Sequence, residues 1–522
     1  EFRRVLFRSF QEVKREQKFE SYSLNHVSKV LLGDSKLDMP VKELFKKFEA
    51  WKAGLGDLKD VGEYCIKDTL LPHRIMDRLC TIPNLFEMAK ATWVPMNYLT
   101  ERGQQIKVFS QISKKAAEMG FLIPTFYDKD ESDEKYKGAT VLDASIGAYY
   151  DPVTALDFAS LYPSIMMAHN LCYSTILLDG ATHPNEEKVG EARYVQGVPA
   201  LLPAVLRELK QFRKQAKKDM AKAKGTPMED VYNAKQLAYK ISMNSVYGFT
   251  GATKGFLPLV DIASSVTSKG REMIQMTKEI IERDFPGSRV LYGDTDSVMV
   301  QFNVKGHPDP IKESWRLGEI ASQRVQEFLR DPNELELEKV YCPYFLYSKK
   351  RYAALKWVLE DGKLESKVDV KGLQLVRRDT CPYVRDVCKA VLAEILKSPD
   401  PLPIVEMVRN ARDELLQGRV PMEKLVLTRS LAGEYKNNNL AHVKVRDKIR
   451  ERMPGSEPKS GDRIAFVLVE ADGKAAYQKA EDPDWAMEHG LKLDYGYYFK
   501  NHMKKPVQDL LEPIIDSKHL WN

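Results

Sequence analysis

The chain has 522 residues, which at roughly 150 residues per domain predicts several domains and excludes a peptide or a lone binding module. It is 43% hydrophobic and 30% charged, and it has no apolar run near the roughly 18 residues a membrane span needs, so a soluble globular protein is expected. Lys and Arg total 80 against 74 Asp and Glu, leaving +6, and the excess is concentrated: ten Lys/Arg stand against four acids between Arg207 and Lys240, a local polyanion-facing signal.

Residues 1–9, EFRRVLFRS, have no hydrophobic period and read as a linker or assembly scar. The charged run VKREQKFE follows where the apolar core of a secretory signal would have to be. Residues 43–120 alternate amphipathic helical stretches with short breaks, as in ELFKKFEAWKAG and RGQQIKVFSQISKKAAEMG, each closing on a Gly. The polar run DKDESDEKYKG, 128–138, predicts a domain boundary. In GAYYDPVTALDFASLYPS a strand ends at Asp157, and the helical IMMAHN comes after it. From about 203 to 248 two helices are predicted, joined by Gly225-Thr226-Pro227, so a helical hairpin follows. SRVLYGDTDSVMVQF reads as two strands around an acidic turn. After Gly372 the text becomes mixed and charged, with several helical stretches, and a separate domain is expected. The six cysteines contain no C-x-x-C pair, which suggests reduced thiols in an intracellular protein and no Cys-rich metal site.

Three groups of residues could carry chemistry. Asp294 and Asp296 sit at the tip of an apolar hairpin, where neighbouring carboxylates are costly to bury without a cation. A solvated Asp-rich turn is the more ordinary reading of those residues alone. Asp157 ends another apolar strand, and two strand-end carboxylates brought together would be hard oxygen ligands suited to Mg²⁺. On the second predicted helix Lys240, Asn244 and Tyr247 fall at i, i+4 and i+7, and on the first Arg213 and Lys217 share a face. A solvated basic face is the bland alternative; cations with an amide and an aromatic would suit a triphosphate carrying a base. Ser348-Lys349-Lys350-Arg351-Tyr352 lies in an apolar and aromatic context and reads equally as a phosphate-backbone contact or as a strand with exposed cations.

Taken together, DFASLYPSIM (157–166), KISMNSVYGFTGA (240–252) and YGDTDSVMV (292–300) resemble, in order, the three polymerase motifs of family B DNA polymerases. YKGA (136–139), SKKRY (348–352), VKGLQLVRRD (370–379) and GDRIAFV (461–467) add to the match, and the wording is closest to the delta-type catalytic subunits, cellular or of large DNA viruses. The resemblance implies a mixed α/β (α+β) right-hand polymerase with palm, fingers and thumb, preceded by the C-terminal remnant of a ribonuclease H-like 3′–5′ exonuclease domain. The expected division is 10–127 for that remnant and its connection, 128–203 and 249–372 for the palm, 204–248 for the fingers and 373–522 for the thumb.

The same resemblance assigns the sites. Asp157 and Asp296, with the Phe158 carbonyl, would hold two Mg²⁺, with Asp294 as the accompanying acid. Ser160, Leu161, Arg213, Lys217, Lys240 and Asn244 would bind the incoming dNTP, and Tyr162 would pack beneath its sugar and exclude a ribose 2′-hydroxyl. Tyr136, Gly138, Tyr247, Gly248, Lys349, Lys350, Arg351 and Tyr352 would contact primer–template DNA. A sliding clamp and accessory replication subunits are implied as further partners, although no C-terminal clamp-binding peptide is evident, and the setting is a nucleus or a cytoplasmic viral replication compartment.

The chain departs from the family at its start: YCIKD places Tyr64 and Asp68 at the third exonuclease motif, and no D-x-E precedes it. An N-terminally truncated fragment without proofreading is therefore expected, since one acidic cluster of a two-metal nuclease cannot hold both ions. Two other readings remain at this point. One is a catalytically silent, DNA-binding relic or scaffold, against which the retained Asp157, Asp296 and Lys240 argue. The other is a reverse transcriptase, which the NSVYG and SLYPS runs disfavour.

Overall fold

The computed structural model describes residues 10–14, 17, 19, 22–37, 39, 41–123, 136–178, 180–360, 363–373, 380–435, 437–453, 455, 457–515 and 520–521. The expected linker at 1–9, most of the acidic boundary at 128–138 and residues 374–379 of VKGLQLVRRD lie outside them. The chain divides into two compact units, one of Glu1–Ala139, Ser160–Glu272 and Arg330–Glu334, the other of Thr140–Ala159, Met273–Leu329 and Leu335–Asn522.

The first unit is mainly helical. Its amino-terminal part holds α1 (Leu24–Leu32), α2 (Val41–Lys52), α3 (Lys59–Arg78), α4 (Thr81–Thr92), α5 (Met96–Glu101) and α6 (Gln105–Met119), matching the helical stretches expected from residue 43 to 120. Gly120 ends α6 at φ 76°, in the left-handed conformation that lets its N–H reach back to the last turn. Then come α7 (Leu161–Ala168), a small antiparallel sheet with Ala192–Val195 between Ile176–Leu177 and Glu186–Val189, and the helices α8 (Leu201–Lys222) and α9 (Pro227–Thr250). The predicted joint is where the chain turns: Pro227 opens α9, where its missing N–H costs nothing, and Glu229 and Asp230 follow in the positive first turn. α9 packs against α8 and also against α4 and α6. The buried Gln111 on α6 ties this packing together, donating to the Ala91 carbonyl at 2.7 Å and accepting from the Ser242 hydroxyl at 2.8 Å. The long helix α10 (Val260–Asp284) follows α9 in the chain.

The second unit is built on an antiparallel sheet. Its strands are β1 (Gly147–Tyr149), β2 (Val153–Phe158), β3 (Arg289–Asp294), β4 (Ser297–Gln301), β5 (Leu335–Ser348), β6 (Arg351–Glu360) and β7 (Lys363–Lys371), in the order β7-β6-β5-β2-β4-β3, with β1 on a further stretch of β5. β2 is buried along its length except at Asp157, as an apolar strand covered on both faces should be. α11 (Pro310–Gln326) lies on β5 and β2, and its approach depends on Gly318, where a β-carbon would come within 2.7 Å of the Thr154 methyl and 3.1 Å of Leu337. Gly318→Val is expected to cost about 2–3 kcal/mol by overpacking, read as a fall in the denaturation midpoint. Unchanged stability would mean that α11 can lift from the sheet freely. Beyond the sheet, α12 (Pro382–Ile395), α13 (Leu402–Leu416), α14 (Ala441–Arg452) and a three-stranded sheet centred on Arg463–Leu468 share one core, which also takes in Phe345 and Ala353 of β5 and β6.

Candidate active site

In the second unit, two strands bring together carboxylates far apart in the chain. β4 pairs with β2 so that Asp157 stands opposite Ser297, and the Phe158 N–H donates to the Asp296 carbonyl at 2.8 Å. β3 and β4 are joined by the two-residue turn Thr295-Asp296, with Thr295 in the left-handed region at φ 60°, an uncommon conformation for a β-branched residue. The turn is held by the Asp296 N–H on the Asp294 carbonyl at 2.6 Å and by the Thr295 N–H on the Thr140 carbonyl at 3.3 Å.

Asp157 and Asp296 are half-buried, and no hydrogen bond from another described residue reaches either carboxylate. Burial first, then the charges of Asp296 and Glu338, pushes Asp157 up to about 7. Burial and the charges of Asp294 and Glu338 raise Asp296 as well. Glu336 and Glu338, whose negative fields also reach Asp157, were not singled out from the sequence. The E-L-E alternation of LELEKV carried the signal, but it has meaning only once Asp157 is found opposite Glu336.

Asp294 differs, because it is already paired. The Lys350 ammonium lies 2.8 and 3.1 Å from its two oxygens, the Thr295 hydroxyl donates to it at 3.1 Å, and the Tyr292 hydroxyl does so at 3.3 Å. Lys350 belongs to the β5–β6 turn, has φ 65°, and donates its N–H to the Tyr292 hydroxyl at 2.7 Å. A β-carbon on Gly372 would collide with the Lys350 carbonyl, so the glycine of VKGLQ lets the chain pass this turn. Lys349 reaches Asp143 at 2.9 Å and the Val141 carbonyl at 3.2 Å, and Arg351 lies over the Tyr347 ring at 6.0 Å. Tyr352 packs with Tyr341 and Tyr344 beneath this turn. Together Tyr292, Asp294, Thr295, Asp296, Lys350 and Tyr352 line one cleft.

The first unit carries the other predicted residues. Lys217, Lys240 and Asn244 are exposed on the hairpin, and Arg213 is half-buried with its Nε 3.5 Å from Gln236. Ser160 precedes α7 at φ 51° and Leu161 is buried, which leaves Tyr162 half-exposed at the helix start with its ring 4.4 Å from that of Tyr247. The Tyr247 hydroxyl in turn meets that of Tyr136 at 2.9 Å, and Gly248 is exposed. On α3, Tyr64 and Asp68 are bound by a single cation: Lys36 lies 3.1 Å from the Tyr64 hydroxyl and 2.8 Å from Asp68.

Among the described residues no group of three or more His, Cys, Asp or Glu is arranged to hold a metal ion on its own. Mg²⁺ does not demand one, since it is commonly bound by one or two carboxylates together with substrate phosphates and water. Asp157 and Asp296, both raised and accepting no hydrogen bond from another described residue, fit that pattern. Asp157→Asn is therefore expected to raise the melting temperature of the metal-free chain by about 1–2 °C at pH 8. The folded-state value of Asp157 lies above its unfolded one, so the stability this group contributes is complete below about pH 4 and is lost as pH rises through about 7. The gain from the substitution should accordingly vanish at acid pH, and a gain of equal size at pH 4 and 8 would refute the account.

A sheet that brings the strand carboxylate Asp157 beside the turn carboxylate Asp296, neither bonded by another described residue, is a framework suited to divalent-metal chemistry on phosphates. The chain belongs to DNA polymerase family B, whose model matches residues 94–514. It is 42% identical to the DNA polymerase of Paramecium bursaria Chlorella virus NY2A, over 97% of this chain and 57% of that protein. It is 40% identical to the DNA polymerase delta catalytic subunits of Schizosaccharomyces pombe and Bos taurus, over 97% and 98% of this chain and 48% and 47% of those proteins. The chain thus spans about half the length of the curated relatives it matches. No helix among the described residues is long and apolar enough to cross a membrane.

Proposed function

We propose that the chain is the polymerising part of a replicative, template-directed DNA polymerase, adding deoxynucleotides to a primer 3′-hydroxyl. The observation that carries this reading is the register that sets Asp157 opposite Ser297, beside Asp296 of the turn, so that two half-buried carboxylates share one place and the charge of Asp296 helps to raise Asp157, in a chain of this family. Two Mg²⁺, when bound, would lower the pKa of the primer hydroxyl and neutralise the charge that develops on the triphosphate as pyrophosphate leaves.

The chain's own residues supply the rest. Asp157, Asp296 and the Phe158 carbonyl would hold the ions; Asp294, already neutralised by Lys350, keeps the turn rigid. Ser160, Leu161, Arg213, Lys217, Lys240 and Asn244 bind and orient the triphosphate, so that no protein nucleophile is required. Tyr162 reads the sugar, while Tyr247 and Gly248 read the shape of the base pair. Tyr136, Gly138, Lys349, Lys350, Arg351 and Tyr352 guide the primer–template, with Tyr352 supporting the turn from below. In this reading 128–203 and 249–372 form the palm, 204–248 the fingers and 373–522 the thumb, and Tyr64 and Asp68 are the remnant of an exonuclease domain. A sliding clamp and accessory subunits would be its partners in a nucleus or a cytoplasmic viral replication compartment.

Primer extension tests this directly. With Mg²⁺ and the four dNTPs, a DNA primer should grow by the template complement on a DNA template and far less on RNA. Equal extension on both would overturn the DNA-template assignment, and no extension on either would overturn the activity.

A further inference from the structure

The helix α8 carries more cations than the proposed triphosphate site uses. At 3.6 residues per turn, Arg213 and Lys217 lie on one face, and Arg207, Gln211, Lys214, Lys218 and Lys222 form a second row about a third of a turn away. All five residues of that row are exposed. At 1.5 Å per residue it runs ~22 Å along the helix.

The charge of this row is uncompensated. The side chains of Arg207, Lys214, Lys218 and Lys222 make no hydrogen bond or ion pair with any described residue. Cations on other helices are matched by an acid three or four places away, as in Lys269–Glu272, Arg316–Glu313 and Lys505–Asp509. Both acids of α8 are engaged off the row: Glu208 is bound by Lys115 of α6, and Asp219 accepts from Gln215 at 2.9 Å. Lys214, Lys218 and Lys222 follow one another at i, i+4 and i+8, a spacing at which like charges destabilise a helix. Their side chains face solvent, so no packing gain offsets that repulsion, and a local conflict of this kind marks a functional surface. The row holds no aromatic side chain, which suits it to phosphates rather than to stacked bases.

The neighbouring face says which polyanion comes here. A nucleotide held by Arg213 and Lys217 pairs with a template base, and beyond that base the template continues unpaired. A stacked strand advances roughly 3.4 Å per nucleotide, so the row matches about six nucleotides of it.

We propose that Arg207, Lys214, Lys218 and Lys222 make the outer face of α8 a binding surface for the sugar–phosphate backbone of the unpaired template ahead of the insertion site. This rests on the polymerase reading. The contacts are to phosphate alone, so they hold the strand without reading its sequence.

The test is binding of fluorescent primer–templates by the full chain over a salt series, with template overhangs of about one and about eight nucleotides. Wild type is compared with a variant carrying Lys214→Gln, Lys218→Gln and Lys222→Gln together, and with one carrying Arg at the same three positions. Wild type should bind the long overhang about 10-fold more tightly than the short one, with a salt slope steeper by about two. The Gln variant should lose that gain, bind the short overhang as wild type does and keep the KM for dNTP. It should melt no lower than wild type, because neighbouring like charges have been removed. The Arg variant should keep the gain, and changing the overhang's sequence should not alter it. Equal affinity of the wild type for both overhangs, or a gain that survives in the Gln variant, would leave the row to solvent or to a protein partner and overturn the proposal. So would an equal loss on both overhangs, which would place the row on the duplex, or a raised dNTP KM, which would place it on the triphosphate. Absence of binding to either DNA by the wild type would instead bring down the polymerase reading on which the proposal stands.

Discussion

Asp296→Asn is expected to stop primer extension, lowering its rate by about 10³-fold or more, equivalent to ~4 kcal/mol of barrier. The amide is nearly isosteric with the carboxylate but carries no charge, so it removes the anionic ligand while preserving the turn. That turn rests on main-chain contacts, the Asp296 N–H on the Asp294 carbonyl and the Asp296 carbonyl on the Phe158 N–H, neither of which involves the altered side chain. Loss of a like charge beside Asp157 should leave the fold intact or slightly firmer. Primer–template affinity should therefore match wild type, and the melting temperature should be unchanged or slightly higher, while extension disappears. Extension at a tenth of the wild-type rate or better would remove Asp296 from the metal set and leave Asp157 to be explained by some other cation partner.

The second large effect concerns the sugar. Tyr162→Ala should lower discrimination against ribonucleotides by about 10²-fold, or ~2.7 kcal/mol, measured as the ratio of kcat/KM for dNTP over NTP. A ring rejects a hydroxyl only if it cannot turn aside. Tyr162 sits at the start of α7 with the Tyr247 ring 4.4 Å away, and Tyr247 is itself tethered through its hydroxyl to Tyr136. Tyr162→Phe keeps the ring and its packing and should retain most of the discrimination. A sugar preference unaltered in Tyr162→Ala would refute the role, and a loss in Tyr162→Phe equal to that in Tyr162→Ala would shift it from the ring to the hydroxyl.

What could be read from the residues alone was local. The break before Pro227, the glycine closing α6 and the two-residue acidic turn are written in stretches of a few residues, and each appears where it was expected. What could not be read depends on pairing between distant segments. Lys350, expected at DNA, also rests its ammonium on Asp294, a partner 56 residues earlier. Tyr352, expected there too, packs its half-buried ring against Tyr341 and Tyr344. The support that α4 and α6 give to α9 through Gln111 joins residues 131 apart in the chain, and nothing in either helix on its own announces it. Lys36, which links Tyr64 and Asp68, escaped notice because it lies well before them. Motif resemblance points to the candidate site residues, and the strand register shows their neighbours, including Glu336 opposite Asp157 and Glu338.

The pairing of Asp157 with the far strand also bears on how the molecule is made. β2 meets β4 across about 140 residues of intervening chain, and Ser160–Glu272, which lies between them, belongs to the other compact unit. Closing so long a loop is slow relative to forming helices of local sequence. During refolding, helix signal should recover first and catalytic competence last, so regained activity would serve as the clock for the final long-range step of assembly.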